Sequence, residues 1–371
     1  MAAARAHIHL QTSLHSRLFG RTHKLKPRTI IHAGIPKTGS SALQDAFLRQ
    51  RDSLQAANVY YPDHKVDVNR VSSGTLPRTA TLIDHCWKPS HQECLRLWRE
   101  FEESGLERLL LSSEFYFLPD FIRTLASVYP DASVIAFLRD PVELLESAYI
   151  QKVKRSGETR RIDASAKALH IQLSQVELFT DIVEENFSHP ISLLDYSLSA
   201  GNEAERSLMN RFLQAAEIDL HPIQIPIINK RYSFESLEFM RNANGFMPKS
   251  QRSRADKVLQ DYSEGTRDYF LIAREDAIFL YGAINTFIKQ DRFRNPRLRE
   301  FLRAASESGL EMLAKREPAA VMAAKPDVDL SRVARHLEQH IPDFMQELRN
   351  AVSTHSETPQ TTDSFRLSLE C

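Results

Sequence analysis

Apolar residues are spaced along this chain in two ways. Short, nearly continuous runs occur at Thr29 to Ile35, Arg108 to Ser113 and Ser133 to Leu138, with a strand-like stretch at Pro190 to Leu194. Runs of this length and β-branched content read as buried strands. Between and after them the spacing becomes helical. Leu43, Ala46, Phe47 and Leu54 line one face of a helical pattern over Leu43 to Ala57, and His91 to Glu103 is a second such segment. Val142, Leu145 and Tyr149 stripe a helix from Pro141 to about Lys154, with Ser147 off the stripe. Further helices are predicted over Ala164 to Asn186, up to about Ala216, over Arg267 to Gln290, over Arg299 to Lys315, and as a pair between Leu330 and Val352. The segment with Pro62, Gly74 and Pro77 reads as a loop. The chain is therefore an α/β protein that becomes helical toward its C-terminus.

The first strand runs directly into Pro36-Lys37-Thr38-Gly39, after which a helix opens with Ser40 and Ser41 as capping candidates. A strand, a glycine-bearing turn and a helix N-terminus together form an anion site, because backbone N–H groups and the helix dipole converge there. The position of the lysine narrows the ligand. A nucleoside-triphosphate loop carries lysine after its second glycine, but here Ser40 follows Gly39 and the lysine is Lys37, inside the turn. The six residues Pro36 to Ser41 match P-K-[ST]-G-[ST]-[ST] and resemble the 5′-phosphosulfate loop of sulfotransferases that use 3′-phosphoadenosine 5′-phosphosulfate (PAPS). An ordinary strand–turn–helix corner is the plain alternative.

Arg139-Asp140-Pro141 follows the run Ser133 to Leu138, with Asp140 suited to an N-cap and Pro141 to the first helical position. The segment from Arg139 through Ser147 to Tyr149 is similar to the same family's 3′-phosphate-binding segment, which implies a clamp made by Arg139 and Ser147. Arginine suits that role as a permanent cation with a forked donor array. Glu114 ends the run Arg108 to Ser113, and in open α/β sheets ligands sit beyond the carboxyl ends of the strands. The resemblance implies a catalytic carboxylate at this point, a general base for the acceptor hydroxyl. Capping or pairing with an arginine is its structural alternative. His32 is the competing base, although a position within the first strand reads as a core histidine. Lys230 and Arg231, in Asn229 to Ser233, are candidates to close over the adenosine, with a solvated basic turn as the other reading.

The resemblance covers roughly Pro27 to Asn244. It implies an α/β fold with a central parallel sheet flanked by helices, the P-loop NTPase-like sulfotransferase fold, followed by a helical C-terminal extension. The implied organisation is a basic leader over 1–26, a sulfotransferase domain over 27–295, a helical extension over 296–352 and a disordered tail over 353–371. The implied reaction moves a sulfuryl group from PAPS to a hydroxyl or amine of an acceptor glycan or small molecule, by in-line displacement and without a metal. A small-molecule P-loop kinase and a non-catalytic PAPS-binding member of the fold are the alternatives.

Composition is compatible with that reading. The chain has 371 residues, 42% hydrophobic and 26% charged, with 48 basic and 48 acidic side chains. This balance argues against a nucleic-acid-binding protein. No apolar run approaches a membrane span, and three cysteines make no disulfide framework, so a cytoplasmic protein is expected. Charge is uneven, however: no acidic residue precedes Asp45, while Arg5, Arg17, Arg21, Lys24, Lys26 and Arg28 all do. This arm could make weak contact with a membrane surface, against the alternative of a solvated leader. His85, Cys86, His91 and Cys94 match no standard zinc spacing and read as packing near Trp87 and Trp98.

Overall fold

The computed structural model describes residues 28–66, 72–196, 202–220, 231–267, 269–315 and 328–354, together with residues 365 and 369. The basic leader and Lys230 lie outside the described residues.

The fold is α/β, with a central parallel sheet flanked by helices and a helical C-terminal region. Its strands are β1 (Thr29–Ala33), β2 (Val59–Tyr60), β5 (Arg108–Ser113), β6 (Ser133–Leu138) and β7 (Ser192–Asp195), in the order β2-β5-β1-β6-β7. All neighbouring pairs are parallel, with His32 opposite Ser112 and Ile31 opposite Val134. β5 and β6 thus lie on opposite sides of β1, which makes its carboxyl end the switch point at which open α/β sheets bind ligands. A separate antiparallel hairpin, β3 (Ala80–Ile83) and β4 (Cys86–Pro89), stands where the sequence reads as loop.

The three central strands, β1, β5 and β6, are buried on both faces, which is why each reads as a continuous run, whereas the edge strand β7 is half-buried throughout. On one face Ile31, Ala33, Leu111 and Ala136 pack with α3 (His91–Ser104), α4 (Pro119–Val128) and α6 (Ala166–Asn186). On the other, Ile30, Leu110, Ile135 and Phe137 pack with α1 (Ser40–Arg49) and α7 (Asn202–Ala215). The predicted helix over Leu43 to Ala57 is broken at Gln50, and α2 (Arg51–Ala56) is its second part.

α5 (Pro141–Gln151) starts as expected. Asp140 is its N-cap, Oδ1 accepting from the N–H groups of Val142 and Glu143 at 3.0 Å each. A separate core joins the end of α5 to α8 (Phe234–Ala243), α9 (Lys249–Asp261), α12 (Ser331–His340) and α13 (Pro342–Thr354) through Tyr149, Val153, Leu237, Leu337 and Phe344. α10 (Arg274–Lys289) and α11 (Pro296–Lys315) pack against each other and on the first core. α10 begins seven residues later than the periodicity predicts, because Glu146 Oε1 takes the N–H groups of Leu271 and Ile272. Of the segment expected as a disordered tail, the helix to Thr354 and the buried Phe365 and Leu369 depart from that expectation; the remaining residues lie outside the described set. Among the described residues, no helix is long and apolar enough to cross a membrane.

Candidate functional site

The carboxyl ends of four neighbouring strands deliver the site. From β1 come Pro36 to Ser41, from β5 Glu114, from β6 Arg139 and from β7 Tyr196.

In the first loop, Lys37 (φ 72) and Gly39 (φ 76) both adopt the left-handed conformation, on either side of buried Thr38. Thr38 ties the loop down by donating its Oγ1–H to the Ile35 carbonyl at 2.6 Å. Left-handed geometry costs a side-chain-bearing residue energy, so Lys37 is held there by its surroundings. Gly39, rather than a serine, occupies the N-cap of α1, and no side chain caps that helix. Ser40 Oγ is turned inward, buried and without a hydrogen-bond partner, against Gly34, where a Cβ would fall 2.5 Å from it. The capping role expected of Ser40 and Ser41 is therefore corrected. The N-terminus instead keeps its amides directed at the loop, with Lys37 as the side-chain cation.

Glu114 follows Ser113, which is bound to the first loop through Gly34 N–H donating to the Ser113 carbonyl at 3.0 Å. Its side chain is exposed at the cleft surface yet crowded by protein, and this desolvation raises its carboxyl above the ordinary range while Lys37 pulls it back. Lys37 is half-buried, and burial lowers its ammonium, with Glu114 opposing and Arg139 and Arg155 adding to the shift. The two groups sense each other across the cleft.

Arg139 joins the two motifs. Its Nη1 donates to Ser147 Oγ at 3.3 Å and, at 3.5 Å, to the carbonyl of Lys37. Its Nε pairs with Glu143 at 3.1 Å, and its guanidinium lies 5.4 Å from the centre of the Tyr196 ring. Tyr196 also touches Gly39, where a Cβ would sit 3.1 Å from the ring, so one aromatic side chain spans both motifs. No sequence pattern singled it out. Glu143, which belongs to the matched segment but had no role assigned to it, is the partner that holds Arg139 in place in the first turn of α5.

His32 stands apart from the cleft. The period of two along β1 places it with Ile30 on the α1–α7 face, fully buried among Phe47, Phe137 and Phe212. Its Nδ1 is 2.8 Å from Ser112 Oγ, and burial drives its pKa down to about 3. It is a core histidine. Arg231 sits 4.1 Å from the Tyr269 ring centre and 3.5 Å from Glu146, the neighbour of Ser147. His85, Cys86, His91 and Cys94 do not converge: Cys86 is exposed on the hairpin, while Cys94 is buried and directs its thiol to the Thr79 carbonyl. Among the described residues, no group of three or more His, Cys, Asp or Glu could hold a metal ion.

No protein-family model and no curated protein matches the chain. A solved structure with similarity to it is the crystal structure of a sulfotransferase from Alicyclobacillus acidocaldarius, 17% identical, with a TM-score of 0.34 over 62% of this chain and 94% of that one.

Proposed function

We propose that this chain is a sulfotransferase that moves a sulfuryl group from PAPS to a hydroxyl of an acceptor, a glycan or small molecule. The observation that carries the reading is the meeting of two motifs about a hundred residues apart: Arg139 bonds both to Ser147 and to the backbone of Lys37. An uncapped helix N-terminus with Lys37 suits a 5′-phosphosulfate, and Arg139 with Ser147, steadied by Glu143 and Tyr196, suits a 3′-phosphate.

The donor supplies an activated sulfuryl group. Attack by the acceptor oxygen on sulfur forms one S–O bond as the bond to the 5′-phosphate breaks. The acceptor proton passes to Glu114, whose carboxyl, raised by the crowding protein, makes it a stronger base than a fully hydrated glutamate. Lys37 and the α1 N-terminus meet the charge that gathers on the departing phosphate. Lys37 is already fixed in its strained conformation, so this charge stabilisation needs no rearrangement of the loop.

Thermal unfolding tests the reading. Adenosine 3′,5′-bisphosphate should raise Tm without added metal, and ATP with Mg²⁺ should raise it much less, since stabilisation follows affinity for the folded state. An equal response to ATP with Mg²⁺ removes the reason to prefer sulfuryl over phosphoryl transfer.

A further inference from the structure

The C-terminal helices reach back to the site through one buried phenol. Tyr281 lies on α10, 141 residues beyond Asp140 in the chain, and its hydroxyl donates to Asp140 Oδ2 at 2.9 Å. The other oxygen, Oδ1, takes the N–H groups of Val142 and Glu143 at the start of α5. A helix cap needs only one oxygen, and at an exposed helix end water serves the other. Here the residue is 3% exposed, and burial pushes its carboxyl up to about 6, with the Glu143 charge adding to the rise and the hydrogen bonds from Glu143, Tyr281 and Val142 opposing it. The Tyr281 hydroxyl therefore favours the ionised form of the cap.

α11 makes room for this contact. Gly309 lies inside that 20-residue helix, where glycine is less favourable than alanine. A Cβ at this position would fall 2.2 Å from Tyr281 Cζ and 2.3 Å from its hydroxyl oxygen. Tyr281 is itself 3% exposed, so its ring has no open solvent to swing into. Any side chain at 309 would push the hydroxyl from its place beside Asp140. The resemblance sets α11 apart as an extension, yet this glycine serves a contact that ends at the site.

Asp140 sits between the parts of the clamp. It follows Arg139 in the chain, and one amide it takes belongs to Glu143, whose carboxylate pairs with Arg139 Nε at 3.1 Å. A shift of Asp140 would therefore disturb both the start of α5 and the group that aims the guanidinium at Ser147. We propose that Tyr281 and Gly309 are positioning residues for the donor's 3′-phosphate: they hold Asp140, and through it Arg139 and Glu143, in the geometry of the clamp. The inference rests on the donor reading above.

Calorimetry on the full chain with two nucleotides tests this. Adenosine 3′,5′-bisphosphate and adenosine 5′-phosphate differ only in the 3′-phosphate, so their affinity ratio isolates the clamp. Tyr281→Phe removes only the hydroxyl. It should lower the ratio about 10-fold, the weight of one hydrogen bond to a charged group, while affinity for adenosine 5′-phosphate stays unchanged. Gly309→Ala, a change that ordinarily favours a helix, should lower the same ratio. Phosphorus NMR of the bound bisphosphate gives a second readout. In both variants the 3′-phosphorus resonance should move toward its free position while the 5′ resonance stays. An unchanged ratio in Tyr281→Phe overturns the proposal. Equal losses for both nucleotides also overturn it, since Tyr281 would then support the fold in general. If Gly309→Ala does not fold, Tyr281→Phe decides alone. A wild type that binds both nucleotides equally removes the donor reading and this inference together, whereas a large wild-type ratio kept in Tyr281→Phe removes this inference alone.

Discussion

The loop around Lys37 and the turn around Lys154 are both cationic, yet they are built in opposite ways. The first is local: six consecutive residues, two of them left-handed, set a lysine at an uncapped helix end. Its carboxylate, Glu114, senses the lysine from across the cleft. The second is assembled from a π turn (Lys152–Ser156), Tyr232 and α9, and its carboxylate, Asp256, is locked onto Lys154 and Arg155. An unlocked cation opposite a base suits chemistry.

Substitutions can break this contrast. The largest effect is expected for Glu114→Gln, which keeps the shape but removes the base, lowering kcat by roughly 10²–10⁴-fold with little change in affinity for adenosine 3′,5′-bisphosphate. The pH profile sharpens the test. Glu114 must be ionised to act, so activity should be present above its raised pKa and fade as pH falls through it. The variant should lack that limb, and a preserved limb would place the base elsewhere. Lys37→Ala should lower kcat by about 10²–10³-fold and also weaken bisphosphate binding, because its charge acts on the bound and more strongly on the departing phosphate. Arg139→Ala should act mainly on affinity, costing about 2–5 kcal/mol by calorimetry as it also leaves Glu143 unpaired.

Two smaller effects separate structure from chemistry. His32 is buried neutral, with a folded pKa of about 3 against an unfolded value of 6.5. The unfolded chain therefore binds the extra proton, and stability should fall as pH drops from 6.5 toward 3, by up to about 1.4 kcal/mol per pH unit from this group. Denaturant titrations of His32→Phe should lack that component, while its kcat stays near normal. Lys37→Gly should stabilise the fold by about 1 kcal/mol by relieving the left-handed strain, even as it removes activity. Unchanged stability would mean that the loop stores no strain.

Much of the first region was legible because backbone geometry is written in consecutive residues. The strand runs, the loop Pro36 to Ser41, the Asp140 cap and the stripe of α5 needed only local patterns. A glycine cap leaves no side-chain signature, so the serines beside Gly39 drew the capping role that backbone geometry gave to Gly39. The hairpin Ala80–Pro89 is mostly exposed on both faces and therefore lacks the alternation that marks a half-buried strand. α10 starts late because a carboxylate from a distant helix takes two of the amides just before it. The tie of the Lys154 turn was invisible for a related reason: Asn244 and Asp256, which hold it, lie about a hundred residues further along the chain, and only the fold brings them together.

The most direct test of sulfuryl transfer at this cleft follows labelled sulfate from PAPS onto a panel of acidic and neutral glycans, with wild type, Glu114→Gln and Lys37→Ala assayed in parallel and no metal added. The account predicts label on at least one glycan with the wild type, release of adenosine 3′,5′-bisphosphate in equal amount, and a loss of at least about 100-fold in both variants. Transfer that persists in Lys37→Ala, or label that moves from the γ-phosphate of ATP and not from PAPS, would contradict it.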